Sequence, residues 1–236
     1  MESATNQPAQ AGKWQEHSAA KNTHNRVIEM VQQHLPDLKG KKICDLPSGA
    51  GALSARLAEL GLQVTPVDLE KTEPFCYDVS KLVLADANYK LPFAEGEFDA
   101  MVSVEGIEHL ENPSFFLREC ARIIKPGGLL FLSTPNPDSY RSRSSVFAHG
   151  YHKYFTPVGF GSKMSSHLLP IDMTFLRGAA DRAGLSVVDV GVNQLSGKNW
   201  FRELLRPLFT RRLPKEMQGV VPYYGEVVIY VLRKNC

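Results

Sequence analysis

Asp45-Leu46-Pro47-Ser48-Gly49-Ala50-Gly51 sets an acidic residue and two glycines between a short apolar run and the start of a helical stripe. Glycines at such a junction let the backbone turn tightly and come close to a ligand. The helix behind them offers N–H groups with no partner of their own. A nicotinamide-dinucleotide site asks for Gly-x-Gly-x-x-Gly; the third position after Gly51 is Ser54, so that fingerprint is incomplete. Taken alone, the loop also fits a plain strand–helix turn. Asp68 stands at the end of a second apolar run, where a carboxylate can accept from both hydroxyls of a ribose. Asp86 ends a third run, where an acceptor meets an adenine amino group with the Ala87 N–H facing the ring. Each aspartate alone also fits a solvated turn. Three such features in order, each at a strand end, point to a nucleoside-bearing cofactor.

A second constellation, Glu105-x-x-Glu108-His109, follows a fourth apolar run and puts two carboxylates and an imidazole within one or two turns. That is half of an octahedral Mg²⁺ or Mn²⁺ site. It is equally a histidine base with acidic neighbours, or a loop in which Glu108 is solvated and His109 packs. His149, His152 and His167 are the other histidines that could join His109.

These residues need elements to hold them. Val27, Ile28, Val31 and Leu35 recur at helical spacing over 24–35. Strands are predicted at 43–46, 63–67, 82–85, 98–104, 129–134, 185–192 and 226–233. Helices are predicted on the Leu53, Leu57, Leu60 stripe up to Gly61, over 113–124 and over 172–183. Lys125-Pro126-Gly127-Gly128 reads as a hard stop and turn. Strands alternating with helices predict an α/β fold, a doubly wound and mostly parallel sheet in one domain. Ligands in such sheets sit beyond the C-terminal strand ends, where the three aspartates stand.

Composition narrows the class. The chain has 236 residues, 43% hydrophobic and 22% charged, and 27 basic against 25 acidic residues leave a net charge of +2. That is ordinary for a globular protein and excludes a polycationic nucleic-acid binder, so nucleic acid is not the expected partner. Cys44, Cys76, Cys120 and Cys236 are too scattered for a disulfide framework or a structural zinc site and read as reduced thiols, which predicts a cytoplasmic protein. The longest apolar run, Val227 to Leu232, is six residues, against about 20 for a membrane-spanning helix. The N-terminus lacks the blocks of a signal peptide, and residues 1–23 read as a loose segment in which Trp14 and His17 could close over the cofactor.

Asp45-x-x-x-Gly49-x-Gly51, Asp68, Asp86-Ala87, Leu91-Pro92-Phe93, Phe98-Asp99, Glu105-x-x-Glu108-His109 and Lys125-Pro126-Gly127-Gly128 together resemble the class I S-adenosylmethionine-dependent methyltransferases over about residues 38–136. One departure is Pro47, which replaces the first of the usual three glycines, fixes φ and removes a donor. The resemblance implies a seven-stranded sheet with its last strand antiparallel and S-adenosylmethionine as cofactor. Backbone at Pro47, Ser48, Gly49 and Gly51 would then cradle the methionine part, with Asp45 holding its ammonium through the loop or a water. Asp68, with Leu69 beside it, would take the ribose, Asp86 and Ala87 the adenine, and Val104 and Glu105 the methionyl side. The Glu105/Glu108/His109 spacing resembles both the ubiquinone-biosynthesis O-methyltransferases and the small-RNA 3′-terminal 2′-O-methyltransferases. The second resemblance implies a metal set of Glu105, Glu108, His109 and His152. Without a metal, His109 and His152 are the catalytic candidates, His109 as general base or substrate contact.

Two segments face the substrate side. Residues 135–170 read as an irregular connection rich in aromatic and basic side chains, including Tyr140, Arg141, Arg143 and Phe147. They suit a polar or anionic acceptor, or merely pack as a flap. Residues 198–215 carry six basic residues and one acid in a basic amphipathic pattern. Such a helix fits an anionic membrane surface, an acidic substrate or simple packing on the sheet. The expected acceptor is an oxygen of a small molecule, lipid or glycan precursor. A metal-assisted RNA-end methyltransferase and a non-catalytic S-adenosylmethionine-binding protein stand as the alternatives.

Overall fold

The computed structural model describes residues 19–156, 167–193 and 224–236. The 1–18 part of the N-terminal segment, with Trp14 and His17, and the basic pattern at 198–215 lie outside them. Seven strands form one sheet in the order β3-β2-β1-β4-β5-β7-β6. β1 (Lys42–Asp45), β2 (Gln63–Asp68), β3 (Val83–Leu84), β4 (Phe98–Val104) and β5 (Ile124–Pro135) pair in parallel; β7 (Val227–Lys234) is antiparallel to β5 and to β6 (Leu185–Val192). Strand order reverses between β1 and β4, so the crevice where ligands bind in such sheets opens at the ends of these two strands.

Period-two alternation on the central strands builds a core on each face. On one face Leu130, Leu132, Val228, Tyr230 and Leu232 meet Phe116, Leu117 and Cys120 of α3 (Pro113–Ile123) and Met173, Leu176 and Ala180 of α5 (Met173–Arg182). On the other, Leu129, Phe131, Ile229 and Val231 meet Val27, Met30 and Val31 of α1 (Thr23–His34) and Leu53 and Leu57 of α2 (Ala52–Glu59). On α1 the inward position is Met30, and Ile28 is only partly covered.

Two expectations change. Lys125-Pro126-Gly127-Gly128 does not separate α3 from a strand starting at Leu129: β5 begins at Ile124, paired with Phe98, and a register shift between Phe98 and Ala100 absorbs the extra residues. Gly128 lies so close to β4 that a Cβ there would be 2.6 Å from the Asp99 carbonyl oxygen. The irregular 135–170 connection contains α4 (Tyr140–His149), capped where the Ser139 side chain accepts from the Ser142 N–H. Among its residues only Ser142 is buried, and Phe147 is 95% exposed. Periodicity failed there because the helix has no apolar face to repeat.

The Leu91-Pro92-Phe93 segment beside the crevice is fixed by a largely buried ion pair in which Glu119 is buried and Arg122 half-buried. Arg122 donates to both Glu119 oxygens (Nε–Oε1 2.9 Å, Nη2–Oε2 2.7 Å) and to the Phe93 and Leu91 carbonyls, while the Leu91 N–H donates to Glu119 Oε2 at 2.9 Å. The Arg122 guanidinium holds the Glu119 carboxyl below the usual carboxylate range. Removing one partner of a buried pair strands the other. Arg122→Ala should therefore destabilise the protein by about 3 kcal/mol in urea unfolding; a loss under about 1 kcal/mol, the ceiling for an exposed pair, would show that water replaces the guanidinium.

Candidate active site

At the ends of β1, β2 and β4 lie two adjoining cavities. The larger, about 450 Å³, is lined by Pro47, Ser48, Gly49 and Ala50 of the glycine loop, by Val104, Glu105 and His109 after β4, and by Ala19 and His24 at the start of α1. The smaller, about 220 Å³, is lined by Asp68, Leu69, Asp86, Ala87 and Asn88, with Leu46, Ala85, Leu110 and Phe116 as apolar walls. Pro47 and His109 line both.

The loop between them is internally bonded. Gly49 (φ 52°) and Gly51 (φ 76°) are left-handed, a conformation glycine adopts at little cost. The Ser48 N–H donates to the Val67 carbonyl, the Gly49 N–H to Asp68 Oδ2 at 2.7 Å and the Gly51 N–H to the Ser48 carbonyl. Those amides were expected to face a ligand; their bonds go to the protein instead. Gly51 lines neither cavity, because the Phe75 ring covers it, 2.9 Å from where a Cβ would sit. Pro47 is accommodated by Gly106, whose Cβ would lie 2.4 Å from the proline Cδ.

The acidic residues divide by burial. Asp68 takes the Gly49 N–H on one oxygen and the Leu69 N–H on the other (2.8 Å), and a carboxylate has further lone pairs for hydroxyl donors. Asp86 Oδ1 accepts from the Asn88 backbone and side-chain amides. Asp45 is buried beneath the loop: Oδ2 accepts from Ser54 Oγ at 2.5 Å, and Oδ1 is buried without a hydrogen-bond partner. Burial pushes its carboxyl up to about 7. Ser54, the residue that breaks the dinucleotide fingerprint, thus serves as the aspartate's donor.

The post-β4 residues part company. Glu105 has φ 49°, its N–H meets the Ser133 carbonyl and Oγ, and its carboxylate accepts from the Ala20 N–H at 3.0 Å and Thr23 Oγ1 at 3.3 Å. Glu108 is fully buried rather than solvated, with Oε2 accepting from Thr134 Oγ1 and Oε1 lacking a hydrogen-bond partner; burial pushes its carboxyl up to about 8. His109 is exposed at the cavity mouth.

The histidine that meets His109 is His167, with ring centroids 4.8 Å apart at 66°. Its segment docks through the Leu168 and Leu169 amides on the Glu108 carbonyl. His167 Nδ1 donates to the Tyr154 carbonyl, and burial, then His109, lowers its pKa. His152 instead meets Ser142 of α4 through Nδ1 at 3.0 Å, and the His149 ring stacks on Tyr151. The expected Glu105/Glu108/His109/His152 metal set is therefore not assembled. Among the described residues, the group whose ligand atoms come together, within 4.8 Å, is Glu108, His109 and His167. His167 lies 58 positions after His109 with no local pattern linking them.

Residues 44–132 match a family described as a methyltransferase domain. This supports a class I S-adenosylmethionine-dependent methyltransferase domain over these residues. It is 36% identical over 143 residues to a ubiquinone biosynthesis O-methyltransferase of Dechloromonas aromatica (strain RCB), covering 54% of this chain and 60% of that one. A protein of the same name from Xanthomonas oryzae pv. oryzae (strain PXO99A) is 39% identical over 111 residues, covering 42% and 45%. The match thus spans about half the length of these relatives. A crystal structure of a putative sarcosine dimethylglycine methyltransferase from Galdieria sulphuraria superposes with a TM-score of 0.62 at 14% identity over 90% of this chain and 85% of that one, which shows the shared fold. The cofactor of this methyltransferase class fits the residues present. The small cavity joins two carboxylates to apolar walls, as a sugar and a flat base require, and the large one is bounded by the Glu105 carboxylate and by the glycine loop that covers the buried Asp45. No described helix is long and apolar enough to cross a membrane.

The two buried carboxyls set a pH dependence. Each binds in the folded state a proton that the unfolded chain releases near its ordinary value, 3.8 for Asp45 and 4.5 for Glu108. Stability therefore falls as pH rises from those values through about 7 and about 8. Asp45→Asn and Glu108→Gln should each reduce the loss of unfolding free energy between pH 5.5 and 8.5 by on the order of 2 kcal/mol. Denaturation curves with the wild-type pH slope in both variants would refute the assignment.

Proposed function

We propose that this protein transfers a methyl group from S-adenosylmethionine to an oxygen of a small-molecule acceptor, a lipid or glycan precursor included. The observation that carries this reading is His109 on the wall common to both cavities. The cofactor, when bound, supplies an electrophilic methyl carried on a sulfonium. Asp68, with Leu69 beside it, and Asp86, with Ala87, would hold the nucleoside in the smaller cavity. Ser48, Gly49 and Val104 bound the larger one, and Asp45 lies buried beneath the glycine loop. His109, on the wall common to both cavities, is placed to take the proton lost by the acceptor hydroxyl; a positioned base of this kind contributes roughly 10²–10⁴-fold. Much of the remaining rate comes from alignment by the rigid strand ends. The names of the relatives support oxygen as the acceptor atom. The metal-assisted RNA reading loses its support because Glu105 and His152 are bonded elsewhere.

Calorimetry with S-adenosylhomocysteine should show one site. Asp68→Ala should weaken it roughly 10- to 100-fold, the worth of one or two charge-assisted hydrogen bonds. With methyl-labelled cofactor and cell extract, His109→Ala should lose at least 100-fold in label transfer while keeping its affinity for S-adenosylhomocysteine. Failure of the wild-type chain to bind S-adenosylhomocysteine would overturn the reading. Binding without transfer to any extract component would favour a non-catalytic S-adenosylmethionine-binding protein.

A further inference from the structure

Helix α1 begins without a side-chain capping bond from its N-cap residue. That residue, Asn22, is left-handed (φ 66°), and no acidic residue stands in the first turn. Helix N-termini favour negative charge and need acceptors for their free N–H groups. The acceptor comes instead from Glu105, just after β4, whose Oε1 accepts from the Ala20 N–H and from Thr23 Oγ1. Glu105 reaches there only because its backbone is left-handed, a conformation that side chains other than glycine adopt at a cost. Its N–H is pinned to Ser133 of β5. The same turn is tied from the other side, where Asn193 Nδ2 donates to the Lys21 carbonyl at 3.1 Å. Ala19, His24 and Glu105 are all walls of the larger cavity.

We infer that Glu105 is a positioning residue whose carboxylate clasps residues 20–23 across the mouth of the larger cavity, so that cofactor exchange requires the clasp to open. The clasp rests on the methyltransferase reading only for the identity of what is exchanged. It assigns Glu105 a different task from the direct cofactor contact implied by the family resemblance: the carboxylate acts on α1, and α1 closes the wall. The requirement is for an acceptor oxygen, not for charge against a ligand. Glutamine, whose amide oxygen can accept the same two bonds, should therefore preserve the clasp, whereas alanine removes it.

Hydrogen exchange of the full chain without ligand, followed by mass spectrometry, tests this directly. Glu105→Ala should speed exchange of the amides at 20–26 by about tenfold, the worth of a hydrogen bond, while the β4 and β5 amides stay protected. Glu105→Gln should stay within about threefold of wild type. Stopped-flow dissociation of S-adenosylhomocysteine should follow the same order, faster for alanine and near wild type for glutamine. Wild-type exchange at 20–26 in Glu105→Ala would overturn the clasp. So would a Glu105→Gln variant that keeps its protection but loses S-adenosylhomocysteine as fast as alanine does, because charge on the ligand would then be the role. If wild type fails to bind S-adenosylhomocysteine, the functional reading fails and the exchange experiment still decides the clasp.

Discussion

The hydrogen bond from the Gly49 N–H to Asp68 Oδ2 ties the end of β1 to the end of β2, and much of the site depends on it. With the Ser48 amide on Val67 and the Leu46 amide on Val102, it locks the first turn of the loop to the strands on either side. The Ser48, Gly49 and Gly51 amides are thus bonded within the protein, while the Ser48 hydroxyl has no hydrogen-bond partner. The loop presents surface and shape to the cavity, and specificity falls to side chains at the strand ends. This explains why Pro47, which has no N–H, is tolerated where a glycine is usual: the protein asks no donor of that position. It asks for room, and Gly106 provides it by having no Cβ in the way of the ring. The substitution and its accommodation come from different loops, so the cavity floor joins the end of β1 to the end of β4.

Carboxylates are buried here in two distinct ways. Glu119 has a guanidinium partner on both oxygens and a backbone donor, and it serves to fix the Leu91–Phe93 segment. Asp45 and Glu108 are more deeply buried, pair with no Lys or Arg among the described residues, and each keep one oxygen without a hydrogen bond. Burial without compensation is expensive and shows as a raised pKa. Structural carboxylates are paired because pairing lowers that cost. Unpaired ones near a cavity fit groups whose partner arrives from outside or whose proton is used. Asp45 sits under the glycine loop and Glu108 behind His109, at the two ends of the proposed reaction path.

The sequence was legible wherever the controlling interactions were local. The extents of β4 and β6, the strand-end positions of Asp68 and Asp86, and the start of α3 at Pro113 follow from alternation and punctuation within a dozen residues. Long-range features were not legible. The His109–His167 contact joins segments far apart in sequence, brought together by the Leu168 and Leu169 amides on the Glu108 carbonyl. The Lys125–Gly128 turn residues sit inside a strand because β4 dictates the register, and an isolated Pro-Gly-Gly carries no sign of its partner. α4 was missed because a surface helix without an apolar stripe leaves no period to detect.

Glu105 shows why residue type and spacing alone mislead. Glu-x-x-Glu-His after a strand invites a reading in which both carboxylates converge, as they would on a regular helix where positions three apart are neighbours. The chain after β4 is not an α-helix: Glu105 is left-handed and Ile107–His109 forms a single 3₁₀ turn. That one backbone conformation sends the two side chains apart, Glu105 toward α1 and Glu108 into the core against Thr134. Its cost is offset by the adjacent residues Ser133 and Thr134 at the end of β5, one bonding the Glu105 amide and the other the Glu108 carboxyl. The end of β5 thus holds both glutamates in place and leaves His109, between the two cavities, at the open mouth of the site.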